Sequence, residues 1–384
     1  MKNRLPIVAG ALLAAAFSLL HTGAQASTNR LKVEVVFCLD ATSSMSGLIA
    51  AAKEKILTIA SSIAASDSAP DIRMGMVYYR DRTDAFITKV SPLTVQMDAL
   101  YAELRSVQAQ GGGDFPESVN AALAAAVNDM RWSQDTTVLK YIFLVGDAPP
   151  HMDYQETKYP EICKTAKKKD IIINTILMGG RAETRPVWKE IAAATGGEFL
   201  EANMKAKNFE VHSPFDSEIK NLSEKLDKKR YYCGTPEGKA AGLTKDAEAR
   251  EMLSISAAES ARRADFNMMN ATNTANYYGS SELLNMVSTK GVKVSELKES
   301  ELPPELAKVE KDKREEWVKA ELAQRDSIQK KLAVLLAERE KHIDAELDKM
   351  KKEDVSESFN ARVYDVINSS ASRKGYKMRA RAKF

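Results

Sequence analysis

The segment FCLDATSSMS, residues 37–46, ends the apolar run LKVEVVF on an aspartate followed by hydroxyl residues at alternate positions: Asp40, Thr42 and Ser44. A carboxylate and two hydroxyls in a tight turn can all present oxygen inward, the donor set that a small hard cation such as magnesium requires. Helix capping is the competing reading, since Ser, Thr or Asp ahead of a helix accepts free backbone N–H groups. It accounts for one of the three residues and leaves two over. Two further loops carry acids in comparable places. GGGDFPES, 111–118, sets Asp114 behind three glycines that permit close backbone approach, and FLVGDAPPH, 143–151, sets Asp147 at the end of another apolar run. Three carboxylates brought together repel one another, and a divalent ion removes that repulsion.

Convergence of these loops demands a particular scaffold. From residue 31 to about 230, strand-like runs (LKVEVVFCL, DIRMGMVYYR, VLKYIFLVG, DIIINTILMG, EFLEA) alternate with helical ones (GLIAAAKEKILTIASSIAAS, MDALYAELRSVQ, PESVNAALAAAVNDM, PVWKEIAAATGG). DAFITKVSPL follows the second strand closely enough to be its hairpin partner. Runs buried on both faces and separated by helices predict an α/β fold. That is a doubly wound, mostly parallel sheet with one short antiparallel edge strand. In such sheets the binding crevice lies beyond the carboxyl ends of the strands, so Asp40 and Asp147 both belong on that rim.

The three motifs, in this order, resemble a von Willebrand factor type A (VWA) domain over roughly residues 30–230. The metal-ion-dependent adhesion site (MIDAS) of that family reads Asp-x-Ser-x-Ser, then a Thr from a second loop and an Asp from a third. Here Thr42 takes the place of the first serine, and Asp114 takes that of the family threonine. The family also includes bacterial and extracellular members resembling this variant. The resemblance implies Asp40 and Asp147 as anionic anchors, the latter often acting through water, and Thr42 and Ser44 as neutral donors. It also implies one coordination position free for a carboxylate from a partner protein. Magnesium is the first expectation for the ion, with calcium or manganese suiting the same oxygens. Asp114 as a ligand would add negative charge and make the ion less attractive to an incoming acid, favouring a structural ion.

A catalytic reading is weaker. A phosphatase with a nucleophilic acid wants a second acid two residues after Asp40, where Thr42 stands, and no lysine in these loops is placed to hold a phosphoryl group. His151 is the one histidine near the rim, and it reads as a loop anchor before it reads as a base. Ser44 has no His-and-acid pair, Cys38 lies within a strand, and the glycine loop lacks the Gly-Lys-Ser/Thr ending of a phosphate loop. The expectation is a binding or scaffold module and not an enzyme, with a metal-dependent phosphoesterase as the minor alternative.

The opening, MKNRLPIVAGALLAAAFSLLHTGAQAS, has the charged, apolar and small-residue parts of a secretory signal, with cleavage expected after Ala26. The destination expected is the periplasm or the exterior, and the partner an unidentified envelope or extracellular protein. Loss of Lys2 and Arg4 lowers the formal charge from +3 to +1, which argues against a general polyanion binder and, with export, against nucleic acid. Cys38 reads as a small buried hydrophobe, whereas Cys163 and Cys233 have the option of pairing in an oxidising compartment. Beyond Cys233 the chain turns polar and helical. Residues 231–304 read as a linker and mixed helical segment, and 305–384 as a long amphipathic helix, a short final helix and a basic tail. Trp317, Leu322, Ile328, Leu332, Leu335, Leu336, Ile343 and Leu347 mark the apolar side of the long helix. Their spacing drifts from a strict heptad, favouring packing on other helices over a coiled coil. The tail, rich in Arg and Lys from Arg373 onward, is suited to weak contact with an anionic surface.

Overall fold

Continuous burial along the first strand, on both of its faces, organises the N-terminal half of the protein. A computed structural model describes residues 30–63, 70–179, 182–202, 211–252, 255–269, 271–378 and 382. The signal-like segment and the tail residues Arg379, Arg381 and Lys383 lie outside the described residues. Strand β1 (Lys32–Asp40) sends Val33, Val35, Phe37 and Leu39 into one apolar layer, and Val36 and Cys38 into the other. The period-2 geometry of a strand allows both faces to be apolar only at the centre of a three-layer fold.

Six strands form the sheet: β1, β2 (Asp71–Tyr79), β3 (Thr88–Thr94), β4 (Leu139–Gly146), β5 (Ile171–Met178) and β6 (Phe199–Ala202), in the order β3-β2-β1-β4-β5-β6. All pairs are parallel except β2–β3, so β3 is the antiparallel edge strand that the sequence predicts. Pro92, which cannot donate to a ladder, sits in that edge strand. One face is covered by α1 (Ile49–Ile63) and α2 (Met97–Ser106), the other by α3 (Val119–Asn128), α4 (Tyr159–Lys168) and α5 (Thr184–Thr195). Strand order reverses between β1 and β4. The loops after these two strands therefore meet at the switch point, where doubly wound sheets bind ligands.

The remainder is helical: α6 (Asp216–Asp227), α7 (Pro236–Glu251), α8 (Ala257–Met268), α9 (Ala271–Tyr278), α10 (Leu283–Lys290), α11 (Pro304–Ala307), α12 (Arg314–Lys349), α13 (Lys352–Ser356) and α14 (Phe359–Arg373). Each apolar residue expected on the long helix, α12, packs within the chain: Ile328, Leu332, Leu335 and Leu336 against α6, α8 and α9, Trp317 and Leu322 against α10 and α11, and Ile343 and Leu347 against Tyr364. Buried ion pairs fix its register, Arg325 to Glu282 at 2.8 Å and Arg339 to Asp216 at 2.8 Å. The final helix, α14, completes the layer containing α1 and α2, with Phe359, Val363, Ile367 and Ala371 joining the core of the sheet. Lys374, counted in the basic tail, bonds to Asp170 and to the carbonyls of Thr136 and Val138. No helix among the described residues is long and apolar enough to cross a membrane.

Cys163 and Cys233 are both free thiols, buried in different apolar clusters. Cys38 is also buried, and desolvation pushes its thiol far above the ordinary range, away from the thiolate a nucleophile needs.

A candidate metal centre at the carboxyl ends of the strands

Asp40 is the last residue of β1 and is fully buried. Its Oδ1 accepts from the Thr42 backbone N–H at 2.9 Å and from the Thr42 hydroxyl at 2.6 Å. Thr42 Oγ1 lies 3.1 Å from Ser44 Oγ, and Ser44 in turn donates to Asp147 Oδ1 at 2.8 Å. Thr42 flanks a short 3-10 turn, Ser43–Gly47, without a side-chain capping bond. The hydroxyls therefore serve the acids and leave the helix end uncapped, which disfavours the capping alternative. Asp40, Thr42, Ser44 and Asp147 form one continuous chain of oxygens across the switch point.

Asp40 Oδ2 is buried and has no hydrogen-bond partner. Burial, opposed by the Thr42 bonds and reinforced by the nearby Asp147 charge, pushes its carboxyl up to about 7. An orphaned carboxylate oxygen surrounded by hydroxyl and carboxylate donors fits a hard divalent cation. Gly146 makes this approach possible. A Cβ there would fall 2.4 Å from Tyr79 Oη, 2.8 Å from Asp40 Cβ and 3.0 Å from Asp40 Oδ2.

The second loop enters differently from the sequence-based expectation. Its backbone docks on the first motif, with Ser43 N donating to Gly111 O at 2.9 Å and Gln110 N to Ala41 O at 2.9 Å. Gly112, at φ 78°, lies where a Cβ would sit 3.0 Å from Glu117 Oε1 and 3.1 Å from Thr42 Cβ. The acid of this loop that reaches Thr42 is thus Glu117, which is 2% exposed and whose Oε2 has no hydrogen-bond partner. Burial first, then the charges of Asp40 and Asp81, push Glu117 up to about 8. Asp114, by contrast, has a side chain 62% exposed and turns toward His151.

That turn creates a second cluster. Asp81, Asp114 and His151 each offer an atom such that all three lie within 4.8 Å of one another. His151 Nε2 is 3.6 Å from Asp81 Oδ2 and 3.9 Å from Asp114 Oδ2, while Nδ1 lies 2.9 Å from Asp153 Oδ1. Asp81 accepts from Ser118 Oγ at 2.9 Å and from Tyr154 Oη at 2.8 Å. Burial opposes ionisation of Asp81, but these bonds and His151 hold its carboxyl below the ordinary range. His151 also anchors its loop, as the sequence suggests: its N–H donates to Glu117 O at 3.1 Å and its carbonyl accepts from Asn120 at 2.6 Å.

Sequence reasoning passed over Asp81 and Glu117 as site residues. Asp81 lies two residues beyond β2, so the signal that exposed Asp40 and Asp147, an acid just past an apolar strand, was also available in YYRDR. No comparable periodic signal separates Glu117 from Asp114.

Residues 34–204 match the family description "von Willebrand factor A domain". A putative ariadne-like RING finger protein of Acanthamoeba polyphaga mimivirus is 26% identical over 189 residues, or 45% of this chain and 18% of that protein. The chain thus spans less than a fifth of that relative. Among solved structures, the SpRpn10 VWA domain is similar at 13% identity and TM-score 0.36, covering 46% of this chain and 90% of that one. Proximal thread matrix protein 1 from the mussel byssus, described with a zinc-occupied MIDAS motif, is similar at 14% identity and TM-score 0.36, covering 45% and 42%. Residues 34–204, the stretch that matches this family description, hold all six strands of the sheet except the first two residues of β1.

Proposed function

We propose that this is an exported, metal-dependent protein-binding module. A divalent cation, magnesium first and calcium or manganese next, is held by Asp40, Thr42, Ser44 and Asp147. The observation that carries this reading is the buried, unpartnered Asp40 Oδ2 within an all-oxygen set drawn from two loops. Bound there, the ion supplies positive charge to a partner's oxygen. Asp40 and Asp147 anchor the charge, Thr42 orients Asp40, and Ser44, the exposed member of the set, marks the side open to a partner. Glu117, which burial and the charges of Asp40 and Asp81 raise to about 8, stands beside Thr42 and outside this donor set. The partner class is accordingly an envelope or extracellular protein offering a carboxylate. The three-part opening segment supports export.

The test is capture from envelope extract with the mature protein, with magnesium or chelator, beside Asp40→Ala. Capture of one protein that disappears with chelator and in the variant is the expected result. Magnesium binding by calorimetry without any change in capture would make the ion structural, and no binding of magnesium, calcium or manganese at millimolar concentration would remove the site.

A further inference from the structure

We propose that Asp81, Asp114 and His151 form a second cation site, distinct from the Asp40 set and suited to a zinc-class transition metal. Its chemistry differs from that of its neighbour. Imidazole nitrogen with two carboxylates is a donor set for zinc and related borderline cations, whereas carboxylates and hydroxyls alone suit magnesium.

Three features set this cluster apart from an ordinary surface group of acids. First, His151 is 3% exposed and its Nε2, which has no hydrogen-bond partner, faces both carboxylates. Second, the tautomer is prepared. Asp153, 2.9 Å from Nδ1, is an acceptor, so in the neutral imidazole Nδ1 carries the proton and the Nε2 lone pair faces the cluster. This is the carboxylate–histidine arrangement that orients metal-binding imidazoles. A lone pair aimed at two carboxylates is repulsive until a proton or a metal cation lies between them, and the experiment below separates the two. Third, the groups are held in place. Tyr154 stacks on the imidazole at 3.8 Å between centroids and 12° between planes, and also donates to Asp81. Arg82 covers the other side of Tyr154 at 3.9 Å.

The spacing is close to what binding needs. Ligand atoms about 2.0–2.1 Å from a tetrahedral zinc stand roughly 3.3 Å apart. Nε2 stands 3.6 and 3.9 Å from the two carboxylates and all three ligand atoms lie within 4.8 Å of one another, so the set needs closure of no more than about 1.5 Å. Asp114, with its side chain 62% exposed, provides that movement and leaves the fourth position open to water or a ligand. The glycine-rich loop therefore serves two centres, Glu117 facing Thr42 and Asp114 facing His151.

The experiment is titration of the chelator-stripped full-length protein with zinc, and with cobalt as a spectroscopic probe, in the presence of saturating magnesium. Zinc binding that magnesium does not displace, weakened about tenfold or more in both His151→Ala and Asp114→Ala, is expected. Asp40→Ala retains it. Asp114→Ala alters an exposed side chain, so its circular dichroism and melting stay those of the parent even where His151→Ala unfolds. Unchanged zinc affinity in Asp114→Ala, or a nitrogen-15 spectrum showing His151 Nε2 protonated with zinc present, would overturn the proposal and leave an imidazolium–Asp81 ion pair. Because Asp40→Ala removes only the magnesium site, failure of either proposal is visible without the other.

Discussion

Ser44 and Asp147, 103 residues apart in the chain, meet through a 2.8 Å hydrogen bond that closes the seam between β1 and β4. This bond aligns oxygens from two strand ends before any ion arrives. A hydrogen bond to a charged acceptor contributes about 1.5–3 kcal/mol, and less where one partner is exposed, as Ser44 is. Ser44→Ala is expected to lower folding stability by no more than about 1.5 kcal/mol. Its magnesium affinity falls about tenfold, equivalent to about 1.4 kcal/mol. Urea unfolding and calorimetric titration of the same preparation measure the two effects separately. An alanine variant with parental magnesium affinity would remove Ser44 from the ligand set.

Gly146 has no room for a side chain. A methyl group there would stand 2.4 Å from Tyr79 Oη and 2.8 Å from Asp40 Cβ, within the packed centre of the sheet. Both neighbours are fully buried and have nowhere to retreat. Gly146→Ala should therefore cost about 3 kcal/mol or more, at the upper end of overpacking effects. It should displace Asp40 even in molecules that still fold. A melting temperature within a degree or two of the parent would show that the strand ends are looser than this contact requires.

Acid titration gives a third expectation, with a definite sign. Asp40 is pushed from 3.8 up to about 7, and Glu117 from 4.5 up to about 8, in both cases chiefly by burial. Between the ordinary and raised values the folded state holds more protons than the unfolded chain, so this contribution to stability falls as pH rises. The metal-free protein is therefore strained by these two groups from about pH 4 to about pH 8. A cation that takes up the ionised oxygens relieves the strain, so stabilisation by magnesium grows as pH rises through 7. Thermal melts at pH 5.5 and 8, each with magnesium and with chelator, check this. Asp40→Asn, which has no acidic proton to lose, should melt higher than the parent at pH 8 in chelator. Equal magnesium stabilisation at both pH values would mean that Asp40 is already ionised at the lower one.

The sheet was legible because both-face burial leaves long apolar runs such as VLKYIFLVG, and all eight residues of β4 are buried. The sites were partly legible for the same reason: an acid after such a run stands out. Asp40 and Asp147 could be paired from sequence, since they follow the two strands that flank the switch point. The division of labour between Asp114 and Glu117 could not. Which of two acids three residues apart turns inward depends on the positive-φ path through Gly111 and Gly112 and on the bridge from Glu117 to Pro150. Neither leaves a pattern in composition or periodicity. The composition shift after Cys233 also gave no sign of how far α14 enters the core of the sheet.

That last contact yields the fourth prediction. Val363 and Ile367 of α14 are 0% exposed and lie in the same apolar layer as Ile56, Ile59 and Phe37. Lys55 covers the Phe359 ring at 4.5 Å, and Tyr376 Oη donates to Thr137 O at 3.2 Å, so polar contacts flank the apolar stripe. Removing α14 bares the apolar surface of α1 and of the sheet against which it packs. Ile367→Ala should cost about 2–5 kcal/mol, as a buried aliphatic truncation does. A polypeptide of residues 27–230 should melt well below the full chain or aggregate, although it includes every strand and both candidate cation sites. Differential scanning calorimetry of the two polypeptides decides the matter. If the shorter one melts with the midpoint of the full chain, α14 is an accessory layer on a self-sufficient domain. If it does not, the helical half belongs to the folding unit that holds the strand ends in register, and the cation sites depend on residues more than 200 positions away.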